Sequence, residues 1–368
     1  MMSGPIRDAR LIAARDLHDC VTRDGIVAGI HHFTDLWARD SLFATFGLRT
    51  SGELQSARTT IGTFLRYQRG DGLIPYRVRR TGISISKYFG KPALLTSPQP
   101  DFRSYQSGGT VPDGGLMTVI ATSEYVRRSG DKLFFKINGR QVRRAMHWYL
   151  KRFGDGLISE WLQCEWADAV LKIGKVLYTN LLYWKALGDI GDTTRQQMIG
   201  DKIRSQFWTG RYFADWVDWR RHDYFASHPN MLAIVFGLAT KTETESIVAY
   251  AQQYCWNGWT LEENFPSYPW WRIPVQNYLV GMADYHNRGC VWLQPGILYA
   301  MGLHRLGKTK EAKIVLKAVA DKVIEYNGIY EIYEKNGRPV NRLFYTAEHP
   351  FAWSAGLFLW ATEQIVGR

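Results

Sequence analysis

Two carboxylates in the stretch QCEWADAVLKIGKVLYTN (163–180), Glu165 and Asp168, lie beside Trp161 and Trp166 and just ahead of a helix-like run. Acids held among tryptophans suit proton transfer, because a setting of low polarity favours the neutral carboxyl that a general acid needs near neutral pH. The plainer use of Asp168 is to complement the dipole at a helix start, and that of Glu165 is to pair with a cation. A third acid, Glu331, falls in GIYEIYEKNGRPV (328–340). Its period-two alternation and its Asn336-Gly337 turn predict a short hairpin, with Glu331 and Tyr333 on one face and Tyr330, Ile332 and Glu334 on the other. Asp168 and Glu331 facing each other across a pocket would be the equipment of an inverting glycosidase. One carboxyl protonates the leaving oxygen and the other activates a water, across about 6.5–9.5 Å. Glu334, Glu262 and Glu263 are the rival acids.

Other chemistry is thinly represented. His31 and His32 are adjacent, but with His228 and His286 so far away no HxxxH or HExxH spacing forms, and no metal is expected. Cys20, Cys164, Cys255 and Cys290 are dispersed, without a CxxC, and read as free thiols. No GxGxxG or P-loop occurs, so no cofactor is implied. Aromatics are abundant, with 15 Trp, 20 Tyr and 17 Phe making 14% of the chain. Trp166, Trp292 and the loop residues Trp216, Trp219, Trp256, Trp259, Trp270 and Trp271 would suit a sugar, whose C–H faces stack on rings. Gln294 and His349 are candidate partners for its hydroxyls.

The elements that must position these groups are helices. Periodicity predicts twelve, at 6–20, 36–49, 53–69, 113–128, 131–153, 175–189, 192–208, 229–239, 242–255, 295–306, 308–326 and 350–365. Their connections alternate. Short turns such as TSGE, RSGD and RLGKTK supply a Gly or a capping side chain. Six long ones, at 21–34, 70–112, 154–174, 209–228, 256–294 and 327–349, exceed the usual two to eight residues. With helices running up and down in sequence, all six long loops emerge on one face. Polarity alternates too. MLAIVFGLAT, GILYAMGLHRL and FAWSAGLFLWA are apolar on nearly every side, whereas TTRQQMIGDKIRSQFW and TKEAKIVLKAVADKVIEY keep a polar face. The first kind is buried and the second covers it. Pro112, Pro229, Pro295 and Pro350 sit in or just before first turns, as Pro prefers. The economical arrangement is an all-α (α/α)6 toroid, six inner helices wrapped by six outer ones, as a single domain over 1–368.

Four segments resemble the six-hairpin toroid glycosidases, the group of the glycogen-debranching amylo-α-1,6-glucosidase, processing α-glucosidases, trehalases and neutral invertases. FTDLWARDSLFATFGL resembles the family's Trp-x-Arg-Asp segment, which implies that Trp37, Arg39 and Asp40 hold the terminal sugar. DGLIPYRV with GTVPDGGLMTVIATSEYVRRSGD adds Asp113. EWADAVLKIGKVLYTNLLYWKAL resembles the segment of the general acid, implying that role for Asp168. GCVWLQPGILYAMGLHRLGKTKEA, GIYEIYEKNGRPV and FAWSAGLFLW resemble the part that supplies the base, implying that role for Glu331. The resemblance implies an inverting, exo-acting hydrolase of an α-linked, glucose-containing saccharide. It is patchy between 209 and 290, and the β-sandwich of many members is missing.

Two other classes stay open. The net charge of 46 − 34 = +12 is spread through YRVRR, YVRRSG, QVRRAMHWYLKRF and DWRRHDYF without a polybasic block. It suits a solvated face, an acidic sugar as in unsaturated glucuronyl hydrolases, or a non-catalytic toroid that binds a glycan or an anion. The expected partner is an oligosaccharide or small glycoside, with no membrane and no nucleic acid. The polar start MMSGPIRDARLIAARDLHDC predicts a cytoplasmic location.

Overall fold

The computed structural model describes residues 4–48, 52–81 and 95–367. Part of the expected turn TSGE and the centre of the long connection 70–112 lie outside these residues. Twelve principal helices follow in order: α1 Pro5–Asp19, α2 Ala38–Ala44, α3 Leu54–Arg66, α4 Asp113–Ser129, α5 Lys132–Phe153, α6 Leu177–Asp189, α7 Thr193–Phe207, α8 Ser227–Phe236, α9 Lys241–Tyr254, α10 Leu293–Arg305, α11 Thr309–Glu325 and α12 Ala352–Ile365. The even-numbered helices close a ring, α2 against α4, α4 against α6, and so on round to α12 against α2. The odd-numbered helices pack outside it, α1 and α11 against each other and against α12, and α3 against α4 and α5. This is the (α/α)6 toroid. No helix among the described residues is long and apolar enough to cross a membrane.

Local chemistry explains the helical hairpins. Gly130 takes a left-handed conformation (φ 75°) that ends α4, and Asp131 then accepts the Phe134 N–H at 3.0 Å to start α5. Asp192 caps α7 through the Arg195 N–H at 3.1 Å, and Thr240 with Glu243 forms a reciprocal capping box on α9. The inner helices are buried on every side; nine of the ten residues of α8 are buried.

The sequence expectation of few strands holds for the scaffold but misses the mouth. A three-stranded sheet (Leu36–Trp37, Arg77–Thr81, Leu95–Asp101) and a four-stranded one (Lys175–Val176, Ala214–Val217, Arg221–Ala226, Asn264–Phe265) brace the long connections there. Strands of two residues carry no readable periodicity, which is why α2 and α6, expected from 36 and 175, start two residues later. The hairpin turn at Asn336-Gly337 is present, with Gly337 at φ 87° and Val340 N–H bonded to Ile332 at 3.2 Å. Its faces do not alternate in burial: Glu331, Ile332 and Tyr333 are all buried, because Tyr333–Glu334 also pairs with Cys290–Val291.

Candidate active site

Every long connection feeds the N-terminal end of an inner helix, and residues of five of the six, all but 209–228, wall one cavity of about 220 Å³. Eight of the ten residues expected at the site line it: Trp37, Arg39, Asp40, Asp113, Trp166, Asp168, Trp292 and Glu331. Gln294 and His349 do not. Helix α10 begins at Leu293, and its turn carries Gln294 away from the cavity that Trp292 faces; the Gln294 amide is buried without a hydrogen-bond partner. His349 stacks on Tyr330 at 4.4 Å and reaches Asp16 at 3.4 Å, while its neighbour Glu348 turns inwards.

The first wall is built by α2 and α4. Arg39 Nε donates to Asp113 Oδ2 at 2.7 Å, so the ion pair joins the starts of two neighbouring inner helices and does not link Arg39 to Asp40. Asp40 has no side-chain partner among the described residues and faces the cavity. Burial pushes its carboxyl up to about 7 against the pull of Arg39. Arg77 lies 4.7 Å over the ring of Trp37 and is held there by Asp101 at 2.7 Å.

The Asp168 loop is pinned from behind. Lys172, fully buried, bridges Glu165 at 2.7 Å and Asp215 at 2.8 Å, and Tyr268 donates to Asp215 at 2.6 Å. Glu165 is thus an ion-pair partner whose second oxygen, Oε2, is left without a bond. Leu171 N–H bonds to the Arg272 carbonyl at 2.6 Å and closes the loop onto segment 270–273. Asp168 itself stands at the mouth, its side chain about one-third exposed, with His286 Nε2 3.6 Å from Oδ1. Desolvation lowers the His286 pKa, so the ring is neutral at neutral pH. It stacks on Trp292 at 5.0 Å and meets Trp166 edge-on at 4.8 Å. Trp161, expected to shield the acid, is exposed and points away from the cavity.

Glu331 is the opposite case. Its carboxylate is 1% exposed and is held by three donors: the Tyr285 hydroxyl on Oε1, the Tyr345 hydroxyl at 2.7 Å from Oε2, and the Glu348 N–H at 3.2 Å. Burial raises its pKa to about 7, and the two tyrosines and the amide oppose that rise. A carboxylate offers about four acceptor sites, so three donors leave one for a water. The rival acids lie elsewhere. Glu334 pairs with Arg342 at 2.8 Å, Glu262 with Arg288 at 2.5 Å, and Glu263 is buried without a partner and is pushed well up. None of the three lines the cavity.

Three residues around these carboxylates escaped the sequence, Tyr285, Tyr345 and Glu348, and His286 entered it only among histidines set aside as metal ligands. Glu348 is 1% exposed and accepts the N–H groups of Ile30, His31, His32 and Phe33 at 2.5–3.2 Å. It thereby folds the first long connection against the Glu331 segment, and Gly29 permits this, since a Cβ there would lie 2.2 Å from Glu348 Cγ. His31 also faces Glu348, at 3.2 Å. Among the described residues one set of candidate metal donors converges, Asp284, Cys290 and Glu334, and the Arg342 guanidinium lies 2.6–3.4 Å from all three.

No protein-family model and no curated protein sequence matches the chain. Solved structures do. A glycosidase variant in complex with glucose superposes with TM-score 0.70 at 15% identity, over 98% of this chain and 97% of its own. The fold is that of the (α/α)6 toroid glycosidases. A GH63 mannosylglycerate hydrolase from Thermus thermophilus in complex with glucose gives TM-score 0.70 at 14% identity, over 96% and 99%. A rhamnosidase from Klebsiella oxytoca with rhamnose bound gives 0.67 at 13%, over all of this chain and 65% of its own. At such identities the similarity is one of fold.

Proposed function

We propose that the protein is an inverting, exo-acting glycoside hydrolase, with the whole chain, 1–368, as its catalytic domain. The observation that carries this reading is the contrast between two carboxylates in one small cavity: Asp168, one-third exposed beside a neutral histidine, and Glu331, buried with one acceptor site free. Asp168 gives its proton to the glycosidic oxygen as the bond to the anomeric carbon breaks. Glu331 takes a proton from the water that attacks that carbon from the other side. The products are the free sugar and the alcohol, and solvent exchange returns both carboxyls to their starting forms. A general base is most useful when its pKa lies near the working pH, and about 7 suits Glu331.

The cavity is below the about 300–1,000 Å³ of sites for drug-sized ligands, which favours one terminal sugar and exo action. Asp40, unpaired and facing inwards, and the Arg39–Asp113 pair supply planar polar groups for its hydroxyls. Trp37, Trp166 and Trp292 supply ring faces. An α-linked glucose-containing substrate follows from the sequence resemblance and agrees with the glucose in two of the similar structures. The acidic-sugar alternative meets a charge obstacle: five carboxylates (Asp40, Asp113, Glu165, Asp168, Glu331) line the cavity against one arginine.

Proton NMR of the anomeric region tests the reading, during incubation with maltose, isomaltose, kojibiose, trehalose and sucrose beside an Asp168→Asn control. An α-linked substrate should release β-sugar first, and the variant should release none. Initial α-sugar would refute inversion, and no release from any α-glucoside would refute the assigned substrate class.

A further inference from the structure

The rim of the mouth is apolar in a way that the fold does not require. Among the described residues, seven of the eight exposed aromatics lie on the long connections; Phe135 on α5 is the exception. Trp219, at the turn between Ala214–Val217 and Arg221–Ala226, is 83% exposed. The segment 270–280 presents Trp270, Trp271 and Leu279, the last 74% exposed, while Asn277 and Val280 of the same segment line the cavity. The turn between Asn341–Arg342 and Tyr345–Thr346 consists of Leu343 and Phe344, 88% and 68% exposed. Two-residue hairpin turns ordinarily carry Asn-Gly or Gly-X, so two large apolar residues there break the local rule, and such breaks tend to mark function. Arg342 ties this hairpin to Gly281 and Asp284, which places its tip beside segment 275–281.

We infer that this rim docks the mouth onto an anionic lipid surface. Two observations choose that occupant. Sugars stack on ring faces, but Leu343 and Leu279, 88% and 74% exposed, are aliphatic and offer none, whereas aliphatic and Trp or Phe tips together suit the boundary of a bilayer. Charge points the same way. Arg103, Arg220 and Arg272, on three of the long connections, have no carboxylate within 4.0 Å among the described residues, whereas Asp223 pairs with Arg221, Glu262 with Arg288, and Asp284 and Glu334 share Arg342. These three guanidinium groups stand on a chain of net +12, and basic groups at a surface add to the pull of anionic headgroups. If the proposed hydrolase is accepted, its glycoside would be one displayed on that surface.

The test is co-sedimentation with vesicles of phosphatidylcholine, with and without phosphatidylglycerol. It measures no turnover, so its failure leaves the proposed reaction standing. The wild type should sediment with the anionic vesicles, and a Leu279→Ser/Leu343→Ser/Phe344→Ser variant should partition at least tenfold less while cleaving a small soluble glycoside as before. Arg103→Gln/Arg220→Gln should lower the preference for phosphatidylglycerol. Equal sedimentation of wild type and triple variant would overturn the inference, as attraction by net charge alone. Absence of vesicle binding would overturn it too, and a wild-type dimer lost in the triple variant would assign the rim to a second copy of the chain.

Discussion

Replacing Glu331 by Gln should uncouple activity from stability in a pH-dependent way. The carboxyl is fully buried and its pKa rises from 4.5 to about 7, so the folded protein binds this proton more tightly than the unfolded chain does. The stability it contributes is present below pH 4.5 and is lost as the pH climbs through 7. A rise from 4.5 to about 7 corresponds to about 3 kcal/mol, at roughly 1.4 kcal/mol per tenfold change in proton affinity. Gln keeps the acceptor for Tyr285 and Tyr345 but cannot ionise. It also turns an N–H towards the Glu348 N–H, a mismatch that costs the same at every pH. Urea unfolding of wild type and variant at pH 4 and pH 8 cancels that constant cost. The stability of the variant relative to wild type should improve by about 3 kcal/mol between the two pH values, while its turnover falls about 10²–10⁴-fold. A stability difference independent of pH, or turnover within tenfold of wild type, would refute the assignment of Glu331 as a buried base.

The wild-type kcat/KM should itself rise with pH along an acid limb near 7, set by Glu331 in the free enzyme; a profile flat from pH 5 to pH 8 would count against that role. Asp168→Asn should lose about 10²–10⁴-fold with an ordinary glycoside but far less with an aryl glycoside whose leaving group needs no proton, and steady-state rates on the two substrates distinguish these. Glu348→Ala strips four backbone N–H groups of their acceptor and should cut both stability and kcat. Gly29→Ala should reproduce the kcat loss by pushing Glu348 aside, as its Cβ would lie 2.2 Å from Cγ; normal kcat in Gly29→Ala would separate the loop from the base. Lys172→Met leaves Glu165 and Asp215 buried without a cation and should destabilise by about 3–5 kcal/mol, read by urea unfolding.

What the sequence determined by itself was the scaffold and most of the lining. Apolar inner helices such as α8 and α12, amphipathic outer ones and the alternation of short and long connections are properties of local order, and they suffice for a toroid. Asp168 and Glu331 were legible as lining residues because each sits in a segment with its own signature, a Trp-flanked loop ahead of a helix and a hairpin. Tertiary structure decided the rest, because it depends on contacts between residues far apart in the chain. Glu331 draws its donors from Tyr285, Tyr345 and Glu348, and Asp168 draws His286 from 118 positions away. Nothing in DYHNRG or TAEHPFAW distinguishes a segment that lines the cavity from an ordinary loop. The choice between Glu348 and His349 turned on which side of an extended segment faces inwards, and only closure of the ring, α12 against α2, fixes that side.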